Sequence, residues 1–204
     1  MTISWPLTLP SDPKPSRVEW TQEHGVSVSQ SPFTGETQTL EYDKCRWLVD
    51  VSYPPMDRDE AAPFFAFFNS LRGRRGTFYF GDTLLRSAQG AVGGTPLVKG
   101  ASQTGFTVIT DGWPNSTLVL LAGDFISIEN HLHQVLADGM SDGSGNLTID
   151  IWPRLRGATG PADNAAVTVT DARGIFRLRE NSLTVVSAGE SKFYALGFSA
   201  EEAL

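Results

Sequence analysis

Residues 54–82, PPMDRDEAAPFFAFFNSLRGRRGTFYFGD, hold the stretch of helical periodicity on which the fold turns, and they run directly into a strand. Phe64, Phe67, Phe68 and Leu71 recur at i, i+3, i+4 and i+7, and with Phe65 they make one broad apolar face on a helix near 58–72. Pro54 and Pro55 end the preceding strand, and Asp57 or Asp59 can cap the helix. Pro63 is expected in the first turn, where a missing donor costs little, and Gly73 is expected to stop the helix. Thr77 to Phe80, between Gly76 and Gly81, then reads as a strand. A helix so rich in phenylalanine is expected to clamp over a sheet rather than to line a ligand pocket.

Outward from this stretch the chain reads as strands. Arg17–Trp20, Val26–Ser29, Thr37–Tyr42 and Arg46–Val51 are four candidate strands, with a turn at Ser31-Pro32-Phe33-Thr34-Gly35 between the second and third. Residues 86–105 are small and polar, as in a flexible connection. From 96 to 170 the pattern is purely β: short apolar runs at 106–109, 118–121, 125–128, 131–136, 147–152 and 166–170 are separated by Gly and Asp turns. Alternation returns at 174–178, 182–186 and 193–198. The expected fold class is therefore mainly β. A β-sandwich with one α-helix (1–95 with 171–204) would carry a small inserted β-barrel (96–170), and two consecutive domains are the rival arrangement.

The 204 residues include 20 Gly and 12 Pro, which suits many short strands joined by turns. A net charge of −7 disfavours nucleic-acid binding, because phosphate affinity comes mainly from Lys and Arg. No run reaches the length of a membrane-spanning helix, so no membrane insertion is expected, and MTISWPLTLPSDPKP does not read as a secretion signal. Pro6, Pro10, Pro13 and Pro15 make residues 1–15 an extended arm, and Trp5, Leu7 and Leu9 make it apolar. Such an arm lies across its own domain or a neighbouring subunit.

A search for chemistry leaves little. Cys45 excludes an internal disulfide and reads as a small strand residue. His131 and His133, spaced i, i+2 on a strand with Glu129 before them, could begin a zinc site. The better reading is a pair of exposed or inter-subunit histidines, with no metal and no cofactor. Asp138 to Asn146 lacks the ligand register of a calcium loop and reads as a Gly-rich hairpin turn. Neither a nucleophile elbow nor a phosphate-binding loop is present, so no catalytic residue is assigned and the chain is read as a non-enzyme. Arg72, Arg74 and Arg75 are the one dense basic cluster, best suited to inter-subunit ion pairs with carboxylates. Trp113 and Trp152 could stack on sugars, although tryptophan in a β core is the commoner case.

Several segments also share wording and order with a known family: 31–38 SPFTGETQ, Cys45-Arg46-Trp47, Pro54-Pro55-Met56, 67–80 FFNSLRGRRGTFYF, 123–128 GDFISI, 133–138 HQVLAD, 143–156 GSGNLTIDIWPRLR and 174–178 GIFRL. Together they resemble the distal tail proteins of bacteriophages with long, non-contractile tails. That resemblance implies a structural virion protein forming a ring, with a hexamer favoured and a trimer open, at the distal end of the tail tube. It implies a belt β-sandwich with a helix and an extended hairpin, and often a second β domain. The implied partners are further copies of the chain, the tail tube protein and the hub proteins of the tail tip or baseplate. Genomic DNA would pass through without specific binding, helped by an acidic lumen. The implied location is the virion, with assembly in the host cytoplasm. The alternative reading is a host-glycan-binding module of the tail tip.

Overall fold

The computed structural model describes residues 3–82, 87–156, 160–188 and 193–203. In chain order these form β1 (Leu7–Thr8), β2 (Arg17–Gln30), β3 (Thr37–Ser52), α1 (Arg58–Leu71), β4 (Thr77–Phe80), β5 (Leu97–Val98), β6 (Gly105–Asp111), β7 (Leu118–Leu120) and β8 (Phe125–Ile128). There follow β9 (His131–Val135), β10 (Gly139–Met140), β11 (Leu147–Leu155), β12 (Val167–Thr168), β13 (Gly174–Leu178), β14 (Val185–Ala188) and β15 (Phe193–Glu202). The chain is mainly β, with a single α-helix among the described residues.

Strands from the two ends of the chain build one sheet, ordered β1-β4-β13-β15-β3-β2, with β14 on the remaining length of β15. Strands from the middle build a second, nearly closed sheet ordered β12-β8-β9-β11-β6-β5, beside the β7-β10 pair. Alternation explains the first. Cys45, Trp47, Val49 and Val51 face inward on β3, and Phe78, Phe80, Phe176, Leu178, Phe198 and Ala200 meet them from β4, β13 and β15.

Over this core lies α1. Asp57 caps it: its Oδ1 accepts from the Glu60 N–H at 2.9 Å, and Glu60 Oε2 accepts from the Asp57 N–H at 3.1 Å, a reciprocal capping box. Phe64 packs edge-on against Tyr53 and Phe67 edge-on against Phe78, while Phe68 packs tilted against Phe198. The helix is a clamp over the sheet, as its phenylalanine face predicts. Pro63 is its sixth residue and not in the first turn; it sits on the exposed face, where it removes one hydrogen bond without entering the core. The left-handed C-cap is Arg72 (φ 55°), and Gly73 (φ 68°) comes one residue later, opening the short 3-10 turn 73–75.

The four runs expected between residues 17 and 51 are two strands. Gly25 looks like a break but lies within β2, opposite a bulge on β3: between the pairs His24–Cys45 and Val26–Glu41 it alone faces residues 42–44, and a Cβ on it would lie 2.9 Å from the Lys44 Cβ. The expected turn follows: Gly35 (φ 74°) donates to the Ser31 carbonyl, and Ser31 Oγ accepts from the N–H groups of Phe33 and Thr34.

The expected flexible connection also differs. Residues 87–95 are tied to the second sheet by Ala88 N–H to Val169 O, Ala91 N–H to Leu118 O and Thr95 N–H to Gly112 O. Their small residues permit close approach: a Cβ on Gly94 would come within 2.1 Å of the Gly112 carbonyl oxygen. Arg86, the first residue of that expected connection, lies outside the described residues. Between β10 and β11 the Asp142 carboxylate accepts from the Ser144 and Asn146 N–H groups and the Asn146 amide, so the Gly-rich turn forms; the strands it connects are not a hairpin pair, because β10 pairs with β7 and β11 with β6 and β9.

Candidate functional site

The two sheets meet along an aromatic seam. Trp47 stands edge-on to Trp152 with centroids 4.5 Å apart, and its Nε1 donates to the Leu132 carbonyl at 3.0 Å. Trp20 and Trp47 both lie within 6 Å of Phe125. Backbone contacts add to this, with Ile175 N–H donating to Asn130 O and Ser127 Oγ to Arg173 O.

Buried in the seam is Glu202. Its carboxylate lies 3.3 Å from Arg156 Nη2 and 3.5 Å from His131 Nδ1, and it faces the Trp47 N–H. Burial pushes this carboxyl up, but the contact with His131 and the charges of Arg156, His133 and His131 outweigh it and hold it below its usual range. His133 is only 2% exposed and its Nδ1 donates to Pro153 O at 2.7 Å. Burial lowers its imidazole to about 4. Of the two histidines read as exposed or inter-subunit, His133 is buried and His131 is part-buried, with a side chain 36% exposed. His131 and His133 sit at the seam, while Glu129 is in a left-handed turn, where its carboxylate accepts from the Ala162 N–H. No group of three or more His, Cys, Asp or Glu among the described residues is arranged to hold a metal.

The residues read from the sequence as interface candidates make contacts within the chain. Trp5, Leu7 and Leu9 pack on the first core, β1 pairs in parallel with β4, and Trp5 Nε1 donates to Ser70 O. The arm therefore lies across its own domain. Arg75 stacks over the Trp5 ring, and Arg74 pairs with Glu201 at 3.0 Å. Glu201 also holds Arg46, and Arg46 with Lys44 holds Glu23, so one ladder of charges runs from the end of α1 to the root of the β2–β3 hairpin. The hydrogen bonds from Lys44 and Arg46 hold the Glu23 carboxyl below its usual range. Arg72 is exposed at the C-cap. Cys45 is buried on β3. Trp113 and Trp152 are 4% and 5% exposed, so neither offers a face to a sugar. Trp113 Nε1 donates to Thr110 Oγ1, and both indoles are core residues.

Beyond that ladder, and beyond the ion pair of Asp43 with Arg154 of β11, the hairpin projects alone. Residues 26–30 and 32–44 are all exposed. In register, Val26 and Val28 share one face with Glu41 and Thr39, while Leu40 shares the other with Ser27. Val28 is 61% exposed, and Phe33 at the tip is 96% exposed; Val26, Leu40 and Tyr42 are open as well. Among the described residues the outer edge of β2 is unpaired along its length, and β15 covers β3 only at residues 48–52. The result is a ribbon reaching roughly 20 Å past its root at the rise of an extended strand, with apolar side chains on both faces. Sequence reading missed these residues because Gly25 and the charged pair Asp43-Lys44 resemble strand ends. The signal that could have found them is alternation resuming at once on either side, at Val26 and at Tyr42.

Among the described residues, no helix is long and apolar enough to cross a membrane. No protein-family model and no curated protein matches the chain.

Proposed function

We propose that the chain is a structural, non-catalytic subunit that closes with further copies of itself into a ring at the distal end of a phage tail. A hexamer is favoured over a trimer. The ring joins the tail tube to the tail-tip proteins, and DNA passes through its centre. The observation that carries this reading is the projecting hairpin. An isolated two-stranded ribbon is marginal in water, and exposed valine, leucine, tyrosine and phenylalanine on both its faces call for a covering partner. Two free strand edges offer the backbone groups for one. A clasp by one element on a different patch of the next copy is a heterologous contact, which generates rings. The sequence resemblance supplies the place in the tail.

Replacing residues 27–40 by Asn-Gly joins the directly paired Val26 and Glu41 through a two-residue turn. Size-exclusion chromatography with light scattering should show the full chain as a closed multimer. The shortened chain should be a monomer with an unchanged melting temperature. A full chain that stays monomeric at every concentration, or a shortened chain that assembles as well as the full one, contradicts the clasp.

A further inference from the structure

Between the C-terminal half of α1 and the stretch 178–185 that leads from β13 into β14 lies an open groove of about 230 Å³. That exceeds the roughly 150 Å³ of a cavity able to admit a benzene ring. Phe68 and Leu178 are buried at its floor, while Phe65, Leu183 and Val185 are only half-buried and keep apolar surface towards solvent. Asn69, Arg72 and Asn181 are exposed along its rim. Arg72 is the one charged residue among those described in the lining, and it makes no ion pair among the described residues.

We propose that this groove seats the hairpin tip of a second copy, with Phe33 over the apolar floor and Glu36 against Arg72. The inference rests on the ring reading above and adds the surface that the clasp grips. Charge selects the occupant. From Val26 to Tyr42 the hairpin carries Glu36 and Glu41 and no Lys, Arg or His. Neither carboxylate has an ion pair among the described residues. An apolar groove with a lone arginine at its rim is the complement of an apolar tip with unpaired glutamates. The next cleft along the same stretch holds Asp50 and Glu180 and would repel that tip. Phe33 is 96% exposed, an aromatic ring of the kind that anchors interfaces. Nor can a chain fill its own groove. Val185 pairs with Leu196, one step past the Gly197–Ser52 pair at one end of β3, whereas Phe33 lies beyond Thr37 at the other. The 16 residues of β3 hold the two roughly 50 Å apart along the sheet. The contact therefore joins unlike ends of two copies, which is a heterologous interface.

Charge reversal in the full chain, read by size-exclusion chromatography with light scattering over a dilution series, tests this. Phe33→Ser, Glu36→Arg and Arg72→Glu all alter exposed side chains, so each variant should keep the wild-type melting temperature. Phe33→Ser should raise the concentration of half-assembly about thirtyfold, and each single reversal about tenfold. The double variant Glu36→Arg with Arg72→Glu exchanges the signs of the pair and should assemble within about threefold of wild type. A wild-type chain that stays monomeric at every concentration overturns the ring reading and this inference with it. Wild-type assembly that none of the single variants weakens, or losses that the double variant does not rescue, leaves the ring standing and refutes the groove as the seat of the hairpin.

Discussion

Tyr53 carries its hydroxyl into the first core, where it finds no hydrogen-bond partner among the described residues, and burial pushes its phenol up. An unsatisfied buried hydroxyl is a cost to the folded state, so Tyr53→Phe should leave stability unchanged or raise it by up to about 1 kcal/mol. Urea denaturation measures this; a loss of that size would show a hidden partner. His133 gives the opposite kind of test. Its imidazole titrates near 4 when folded and near 6.5 when unfolded, so between those values the unfolded chain binds the extra proton. Stability is thus complete above about 6.5 and falls by roughly 3 kcal/mol as pH drops towards 4. Glu202, with its lowered carboxyl, adds to the loss only as pH falls below its ordinary range. His133→Gln keeps a donor for Pro153 and should flatten the curve between 6.5 and 4.5; an unchanged slope there would refute the assignment. The sequence shows two histidines on one face of a strand, but whether that face meets water or a second sheet depends on tertiary packing. The same limit applies to Trp113 and Trp152, whose type fits a sugar platform or a core equally well.

At the scale of elements, α1 was the most legible part of the chain. Its period, its Asp57 cap and its phenylalanine face are all local facts, and only Pro63 and the left-handed Arg72 departed from expectation. Phe64 is fully buried against Tyr53, so Phe64→Ala should cost about 3–5 kcal/mol by chemical denaturation. A cost below 1 kcal/mol would mean that the helix does not clamp the sheet. The hairpin was the least legible. Its two strands each look like two, because Gly25 in β2, the bulged residues 42–44 opposite it in β3 and polar residues facing water on both sides imitate a turn. Expected strands in the second sheet fell close to their observed places, since Gly and Asp turns fix their ends.

For the whole molecule, the chain folds so that its two ends share one sheet and its middle forms the other. Trp47, Trp152, Phe125 and the buried Glu202 lock the two along the seam. This arrangement was partly visible in the sequence, as alternation returning after 174. The seam was not, because it joins residues far apart in the chain, such as Trp47 and Trp152. What the packed body leaves uncovered is the hairpin, and the proposed ring is an assembly that would cover it. Cryo-electron microscopy of the phage particle in which the proposal places this chain is the most direct test. The expected map shows a closed ring of copies at the distal end of the tail tube, each hairpin lying against the next copy around an open channel. A particle in which the chain lies off the tube axis, or in which residues 26–44 stand free in solvent, would contradict the account.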